Sequence, residues 1–417
     1  MKSALRIFLL ASVGWTQGSL FSRPKTSRGV KMNQVEKDSS TLMSKRQLRA
    51  FERDGFIVLR GLFGEEEIEQ MVEGGEALVE TSKQTNSYTF SFIEKNLIYG
   101  ASPFIRENDE ALQIFRKIAL RSKLPQICAE LMQLDPNTQS LRLLRDVYLA
   151  NDCTQDDTCS WHVDDTSFWP ESFISSASEE SGKDQYGINV WIALDDYDPS
   201  HGGSMVLSRG SHKASWREEA YRSIGQDRTT DGGKELDEFI EYMTTARAKG
   251  TCALDISNPT VYAKAERAKV AFKLKKGDCI LATRLLFHRT ERVTDKGVKA
   301  YAKQGKDQLH RYSLRYVPGT ARLNRGVNFE PSTKWNEDFK GKSLDDISST
   351  DSPAWYPKLW PQIEPNLDNK LQSLKDHELV KATARADADR KVFMEKFTEA
   401  MAKSSTPDQA MKPLQTK

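Results

Sequence analysis

The chain has 417 residues, with 61 Lys and Arg against 59 Asp and Glu, so its formal net charge is only +2. Such balance gives no argument for nucleic acid or an anionic membrane surface as a partner. A hydrophobic content of 38% supports a real core, while 29% charged residues and a mean hydropathy of −0.61 fit a soluble, loop-rich protein. The length allows one large domain or two small ones. The five cysteines, Cys128, Cys153, Cys159, Cys252 and Cys279, are odd in number and show no Cys-x-x-Cys spacing. That speaks against a disulfide framework or a zinc knuckle. Cys153 and Cys159 are near enough for a disulfide, with free thiols as the other reading.

Residues 1–40 read as a targeting or disordered segment. Lys2 and Arg6 precede the apolar run Ile7 to Val13, which is too short to span a bilayer and fits a signal-peptide core. Ser19 to Val35 then carries Arg23, Lys25, Arg28 and Lys31 without an acid, a transit-peptide composition. The expected destination is a plastid or mitochondrion, or the secretory route, with an unaddressed tail as the alternative. The C-terminal Leu414-Gln415-Thr416-Lys417 is not a peroxisomal Ser-Lys-Leu signal. No stable membrane insertion is expected, and the oligomeric state is not legible.

From Ser44 the pattern becomes structured. Ser44 is placed to cap a helix running through Arg53 and stopped at Gly55. Phe56 to Leu59 is an apolar run that predicts a buried strand. Phe63 to Thr81 opens with Glu65, Glu66 and Glu67, which suit the positive end of a helix dipole, and has apolar residues at helical spacing. Residues 107–133 predict one or two further helices interrupted by Pro125. After Pro136 the period changes to two. Strands are predicted over Leu141–Leu149, Ile188–Leu194, Met205–Ser208, Val270–Leu274, Cys279–Thr283 and Tyr312–Val317. In the second of these, Ile188, Val190, Ile192 and Leu194 alternate with Asn189, Trp191 and Ala193, a half-buried pattern. Several short strands behind leading helices predict a mainly β fold with flanking helices, a double-stranded β-helix (jelly-roll, cupin-like) barrel over residues 41–332.

Within that domain, residues 213–269 read as a polar insertion with a helical piece near Glu235–Lys249, forming either a lid over the barrel mouth or a surface decoration. Lys296 to Lys306 reads as a Lys-rich loop. The remainder, 333–417, comprises a Pro-, Trp- and Asp-rich wrapping segment and a charged helix over Leu371–Met401.

The residues that point to chemistry begin at Trp161-His162-Val163-Asp164. Positions i and i+2 of a strand face the same side, so His162 and Asp164 can both face a barrel interior. With one more imidazole they make the two-His, one-carboxylate set of a non-haem Fe(II) site with open coordination positions. His288, closing a strand-like segment, is the candidate for that imidazole. His201, His212, His310 and His377 are its rivals; His212, in a Gly-Ser-His turn, is expected to make a structural hydrogen bond. Asp165 competes with Asp164 but points the other way by alternation. Trp191 and Asn189 face away from Ile188 and line the site, unless Trp191 simply packs the core.

Five separated segments then carry a resemblance. They are Leu48 to Leu62, Gly187 to Asp196, His201 to Lys213, Lys276 to Thr283 with His288, and Arg311 to Gly319. In this order the stretch of about residues 44–320 resembles the phytanoyl-CoA dioxygenase (PhyH-type) family of Fe(II)/2-oxoglutarate oxygenases. The resemblance implies His162, Asp164 and His288 as iron ligands and as the catalytic set. It implies 2-oxoglutarate as co-substrate, O2 as oxidant and ascorbate as a supporting reductant. It also implies an arginine on the strand after the distal histidine that grips the co-substrate carboxylate as a planar fork. Arg311 matches best, with Arg315 on the same face as the alternative. Thr290 stands where the family has a hydroxyl that contacts the same co-substrate. Arg289 replaces the family's usual small residue, and Arg209 its usual Pro. Retention of Asp164 favours hydroxylation over halogenation, in which that carboxylate is lost. A small-molecule or acyl substrate is implied, hydroxylated at an unactivated C–H bond. A cluster of basic residues over 264–276 is either a phosphate contact or a solvated face. A metal-binding barrel without oxygenase activity and an interaction protein remain as the other classes.

Overall fold

The computed structural model describes residues 41–85, 89–93, 96–101, 113–153, 160–163, 187–216, 258–321, 342–348, 356–367 and 369, with only the backbone given over 78–101. Segment 1–40, Asp164, Asp165, Cys159, Cys252, His377, most of the expected insertion and the helix expected over 371–401 lie outside these residues. Among the described residues no helix is long and apolar enough to cross a membrane.

The N-terminal signals act locally. Helix α1 spans Lys45–Asp54, and the Ser44 side chain accepts from Gln47 N while the Gln47 side chain accepts from Ser44 N, a reciprocal cap. The chain leaves at Gly55, whose N–H donates to Phe51 O at 2.7 Å, and enters strand β1, Phe56–Leu59. Helix α2 is Glu65–Thr85, with its three glutamates in the first turn. The hairpin β2 (Thr89–Ile93) and β3 (Asn96–Ala101) follows. It was not expected from the sequence.

Helix α3 (Gln113–Arg116) runs into a π turn over Lys117–Arg121, and α4 spans Leu124–Leu131. Pro125 does not interrupt a helix. It lies in the first turn of α4, where its missing N–H costs nothing.

The strands are β4 (Leu141–Asp152), β5 (Ile188–Ala193), β6 (Met205–Ser208), β7 (Lys269–Val270), β8 (Cys279–Thr283), β9 (His288–Thr290), β10 (Gln308–Pro318) and β11 (Lys358–Trp360). All ladders are antiparallel. The large sheet runs β1-β8-β5-β10-β4-β3-β2 with β11 beside β4, and the small sheet runs β7-β6-β9. The strand expected over 270–274 is shorter than read: β7 ends at Val270, and Leu274 makes an isolated bridge to Tyr197.

Two cores explain why these faces are apolar. On one face of the large sheet, Ile188, Val190, Ile192, Leu281, Tyr312, Leu314 and Tyr316 pack against the helices. Phe115, fully buried, sits edge-on to Tyr312 at 4.8 Å and to Tyr148 at 5.9 Å. Such a ring contributes roughly 1.5–3 kcal/mol by its burial alone. On the other face, Phe56, Trp191, Ala193, Ile280 and Ala282 share a second core with Met205 and Leu207 of the small sheet. Two sheets enclosing one apolar interior is the jelly-roll arrangement. All six residues of β5 are buried, not every second one, because β5 lies between these two cores.

The segment expected as a Lys-rich loop is helix α6, Asp295–Lys303, capped by Thr294, whose side chain accepts from Gly297 N. Helix α5 (Pro259–Arg267) precedes β7, and α7 is Leu344–Ser348. Asp345 of α7 holds Arg142 of β4 at 2.7 Å, tying the wrapping segment to the large sheet.

Candidate functional site

Two turns set the strands that carry the site. The Asp278 carboxylate, 3% exposed, accepts from Gly61 N at 2.8 Å, Lys275 N at 2.9 Å and Arg60 Nη1 at 2.6 Å. This anchors the start of β8 beside β1. Gly277 adopts φ +85°, and a Cβ there would lie 2.3 Å from Phe63 O, so the turn admits no side chain. At the other turn, Gly202 has φ +74° and a Cβ would fall 1.9 Å from Arg292 O. The Gly203 N–H donates to Glu291 O at 2.8 Å, and Tyr301 of α6 donates to Gly202 O at 3.0 Å. Together these contacts seat β6 against β9.

His162 joins the edge of the small sheet. It pairs with His288, His162 N donating to His288 O at 3.0 Å and His288 N to His162 O at 2.9 Å. The two imidazoles lie side by side with ring centroids 4.5 Å apart. His162 Nδ1 is 2.8 Å from Ser160 O and His288 Nδ1 is 2.9 Å from Leu286 O. A carbonyl only accepts, so each Nδ1 carries the proton and each Nε2 keeps its lone pair in the plane of the ring. That is the tautomer a metal-ligating histidine needs, with orientation fixed by a second hydrogen bond. Two preset imidazoles therefore fit a divalent metal. Among the described residues no group of three His, Cys, Asp or Glu side chains is gathered to hold one, Asp164 being outside them.

Arg311, from β10, reaches the same strand as His288. Its Nη1 donates to Thr290 Oγ1 at 3.0 Å. Thr290 is two residues beyond His288 and so shares its face. Arg311 is paired with Ala193 of β5, and Ser313 with Trp191, which puts Arg311 and Trp191 on the inner face of the large sheet. Trp191 is 1% exposed and its buried indole N–H has no hydrogen-bond partner among the described residues. Arg315, opposite Asn189, is on that face as well but buried at 2% exposure. At about 3.3 Å per residue it is roughly 13 Å along the strand from Arg311.

Tyr197 was not singled out by the sequence. Its ring lies 5.2 Å from Trp191, and its hydroxyl donates to His310 O at 3.0 Å, next to Arg311. Burial and the Asp195 carboxylate push its hydroxyl well above the ordinary tyrosine range, so it is a neutral donor. Asp195 itself is 4% exposed. Burial opposes its ionisation, but hydrogen bonds from His310 and Lys306 outweigh that and hold the carboxyl below its ordinary range. The pattern Asp195-Asp196 was visible in the sequence; its link to the Arg311 strand depends on a contact across 115 residues.

Three of the rival histidines are placed elsewhere, His377 being outside the described residues. His212 Nε2 lies 3.0 Å from Glu52 O, with its ring under Gly55, and burial lowers its pKa. His201 packs edge-on against Tyr301 at 5.8 Å. His310 stacks on Tyr148 at 5.9 Å, on the helix-covered face. Cys128, Cys153 and Cys279 are buried free thiols, and burial together with Asp195 pushes Cys153 up to about 12.

The phytanoyl-CoA dioxygenase (PhyH) family profile matches residues 51–300. The chain belongs to that family. The match contains His162, Asp164, Trp191, His288 and Thr290 and ends before Arg311. No curated protein matches the sequence. Among solved structures, the chain is similar to SnoK, a non-haem α-ketoglutarate-dependent carbocyclase from nogalamycin biosynthesis, with 17% identity, 73% of this chain and 94% of that chain covered and a TM-score of 0.48. It is also similar to EctD from S. alaskensis with bound Fe (15% identity, 74% and 89% covered, TM-score 0.45). A third is HygX from Streptomyces hygroscopicus with nickel and 2-oxoglutarate bound (18%, 71% and 99%, TM-score 0.40).

Proposed function

We propose that this member of the PhyH family is an Fe(II)- and 2-oxoglutarate-dependent dioxygenase that hydroxylates an unactivated C–H bond of a small-molecule or lipid-derived substrate. The observation that carries the reading is the pair of imidazoles with both Nδ1 protons committed to backbone carbonyls, beside an arginine held against Thr290. His162 and His288 supply two nitrogen ligands, and Asp164, two residues beyond His162, supplies the carboxylate. When bound, the iron and 2-oxoglutarate supply O2 activation coupled to decarboxylation of the keto acid to succinate and CO2.

The chain's own residues do the rest. Arg311 binds the distal carboxylate of 2-oxoglutarate, already oriented by Thr290, so little side-chain freedom is lost on binding. Thr290 contributes its hydroxyl, and the buried Trp191 N–H, which has no acceptor among the described residues, can donate to the co-substrate. Trp191, Met205 and Leu207 give the interior apolar walls. Such walls exclude water and strengthen the charged contacts at the site.

The test is succinate release by the full chain with Fe(II), 2-oxoglutarate and ascorbate, beside His162→Ala. Uncoupled turnover without the prime substrate is expected and should vanish in the variant. A folded, iron-loaded protein that neither releases succinate nor binds 2-oxoglutarate would overturn the reading.

A further inference from the structure

Arg289 stands between His288 and Thr290, where the family resemblance leads one to expect a small residue. Its surroundings explain the change. Because His162 and His288 are paired, their chain neighbours Trp161 and Arg289 meet one step along on the outer side of the same strand pair. The Arg289 guanidinium lies over the Trp161 ring, 4.8 Å from its centre. One carboxylate joins the two: Glu266 Oε1 accepts from Trp161 Nε1 at 2.9 Å and pairs with Arg289 Nη1 at 2.6 Å. Trp161 is fully buried, and the Arg289 side chain is 12% exposed.

Glu266 belongs to α5, which closes the 213–269 insertion. That helix docks by Val261 and Ala265 onto Trp161, Val163, Val206 and Phe287. Glu291 receives a second bond from Arg289, at 3.0 Å, and Lys269 bridges Glu291 at 3.0 Å and Glu266 at 3.6 Å. The charges are therefore shared across α5, β7 and β9, and the cluster is tied at both ends.

We infer that Glu266 is a positioning residue for the metal ligands, a clamp behind the strand pair that sets how closely and at what angle the two imidazoles face each other. The inference rests on the iron reading above. The two backbone hydrogen bonds between His162 and His288 fix their register. Among the described residues the strand carrying His162 meets its neighbour at this bridge, and the Glu266 contact to Trp161 is a restraint next to it. Removing the carboxylate strands a buried indole N–H and leaves Arg289 with Glu291 and, at 3.4 Å, the Tyr262 hydroxyl, neither of which reaches Trp161 in its place. The strand pair then relaxes, and the imidazoles lose the fixed geometry a metal selects. Partners that orient ligands in this way typically matter by about 10–100-fold in metal affinity.

The test measures Co(II) binding to the full chain by its visible d–d absorption, which reads both affinity and coordination geometry, for wild type, Glu266→Ala, Glu266→Gln, His162→Ala and Tyr316→Phe. Tyr316 donates to Ala119 O at 2.7 Å on the helix-covered face and serves as a stability control far from the clamp. Glu266→Ala should bind Co(II) at least about tenfold more weakly with an altered spectrum. Glu266→Gln keeps an acceptor for Trp161 and should recover most of the loss. Tyr316→Phe should melt earlier yet bind as wild type does. If wild type binds Co(II), His162→Ala does not, and Glu266→Ala matches wild type in affinity and spectrum, the clamp is refuted while the metal reading stands. If wild type and His162→Ala bind alike, the metal reading itself fails and takes the clamp with it.

Discussion

Replacing Arg311 by Ala separates the co-substrate reading from a merely structural role for β10. The guanidinium is held at 3.0 Å from Thr290 Oγ1, on the inner face and on the side of His288. A carboxylate meeting it there forms charge-assisted hydrogen bonds, worth about 1.5–3 kcal/mol each before losses shared between them. Taking a net loss of about 3 kcal/mol for the fork as a whole, affinity falls by roughly 10²-fold, since about 1.4 kcal/mol is tenfold. Arg311→Lys keeps the charge but not the planar fork, and a loss nearer tenfold is expected. The assay is calorimetric titration of 2-oxoglutarate into metal-loaded protein, with succinate release at varied 2-oxoglutarate as the kinetic counterpart. KM for 2-oxoglutarate should rise far more than kcat falls. Arg315→Ala is the comparison, because Arg315 is on the same face but roughly 13 Å away. If Arg311→Ala binds within about threefold of wild type while Arg315→Ala loses binding, the assignment moves to Arg315 and the Thr290 contact is structural.

Three further outcomes follow from the geometry. Tyr312 donates to Asp146 Oδ2 at 2.6 Å, both residues fully buried; Tyr312→Phe should cost about 1–3 kcal/mol in chemical denaturation, and an unchanged midpoint would mean that the bond contributes nothing. Gly202→Ala places a Cβ 1.9 Å from Arg292 O at φ +74°; we expect a loss of at least about 1–3 kcal/mol together with weaker Co(II) binding, since the turn seats β6 on the strand that carries His288. Asp195 has a folded pKa below its unfolded value, so its contribution is present above about pH 4 and lost as pH falls through the folded value. Urea midpoints measured from pH 7 down to pH 2 should therefore decline less steeply at the acid end for Asp195→Asn than for wild type, and parallel profiles would contradict the assigned stabilisation.

The parts of this fold that were legible are those written in short-range chemistry. The Ser44 cap, Gly55 and the apolar run of β1 are neighbours in sequence, and their hydrogen bonds close within a few residues. His162 and His288 could be singled out because a metal needs particular side chains. Their pairing, by contrast, is a fact about strands 126 residues apart, by subtraction of the numbers. Alternation misjudged β5 because it registers one apolar face against solvent. Trp191 and Ala193 oppose Ile192 across a strand with a core on each side, and a polar Asn189 in that run mimics an exposed face. Lysine content hid α6, whose cap Thr294 and buried Tyr301 are the stronger signals in retrospect.

Arg289 shows most sharply where sequence reasoning stops. On its own it is a bulky charge next to His288, the proposed metal ligand, and an apparent departure from the family. Its meaning depends on Glu266, which is 23 residues earlier in the chain, and on Trp161, which meets it only because His162 pairs with His288. A small residue at this position needs no partner. An arginine with 12% exposure does, because a guanidinium taken out of water without a carboxylate costs several kcal/mol. Arg289 and Glu266 therefore act as a pair in physical terms, with Trp161 between them. Glu266→Ala and Arg289→Ala should accordingly be non-additive: the double variant should lose less stability than the two single losses summed, because the contact between the two side chains is removed only once. Additive losses in a double-mutant cycle would show that the two side chains act separately and that the ion pair contributes little.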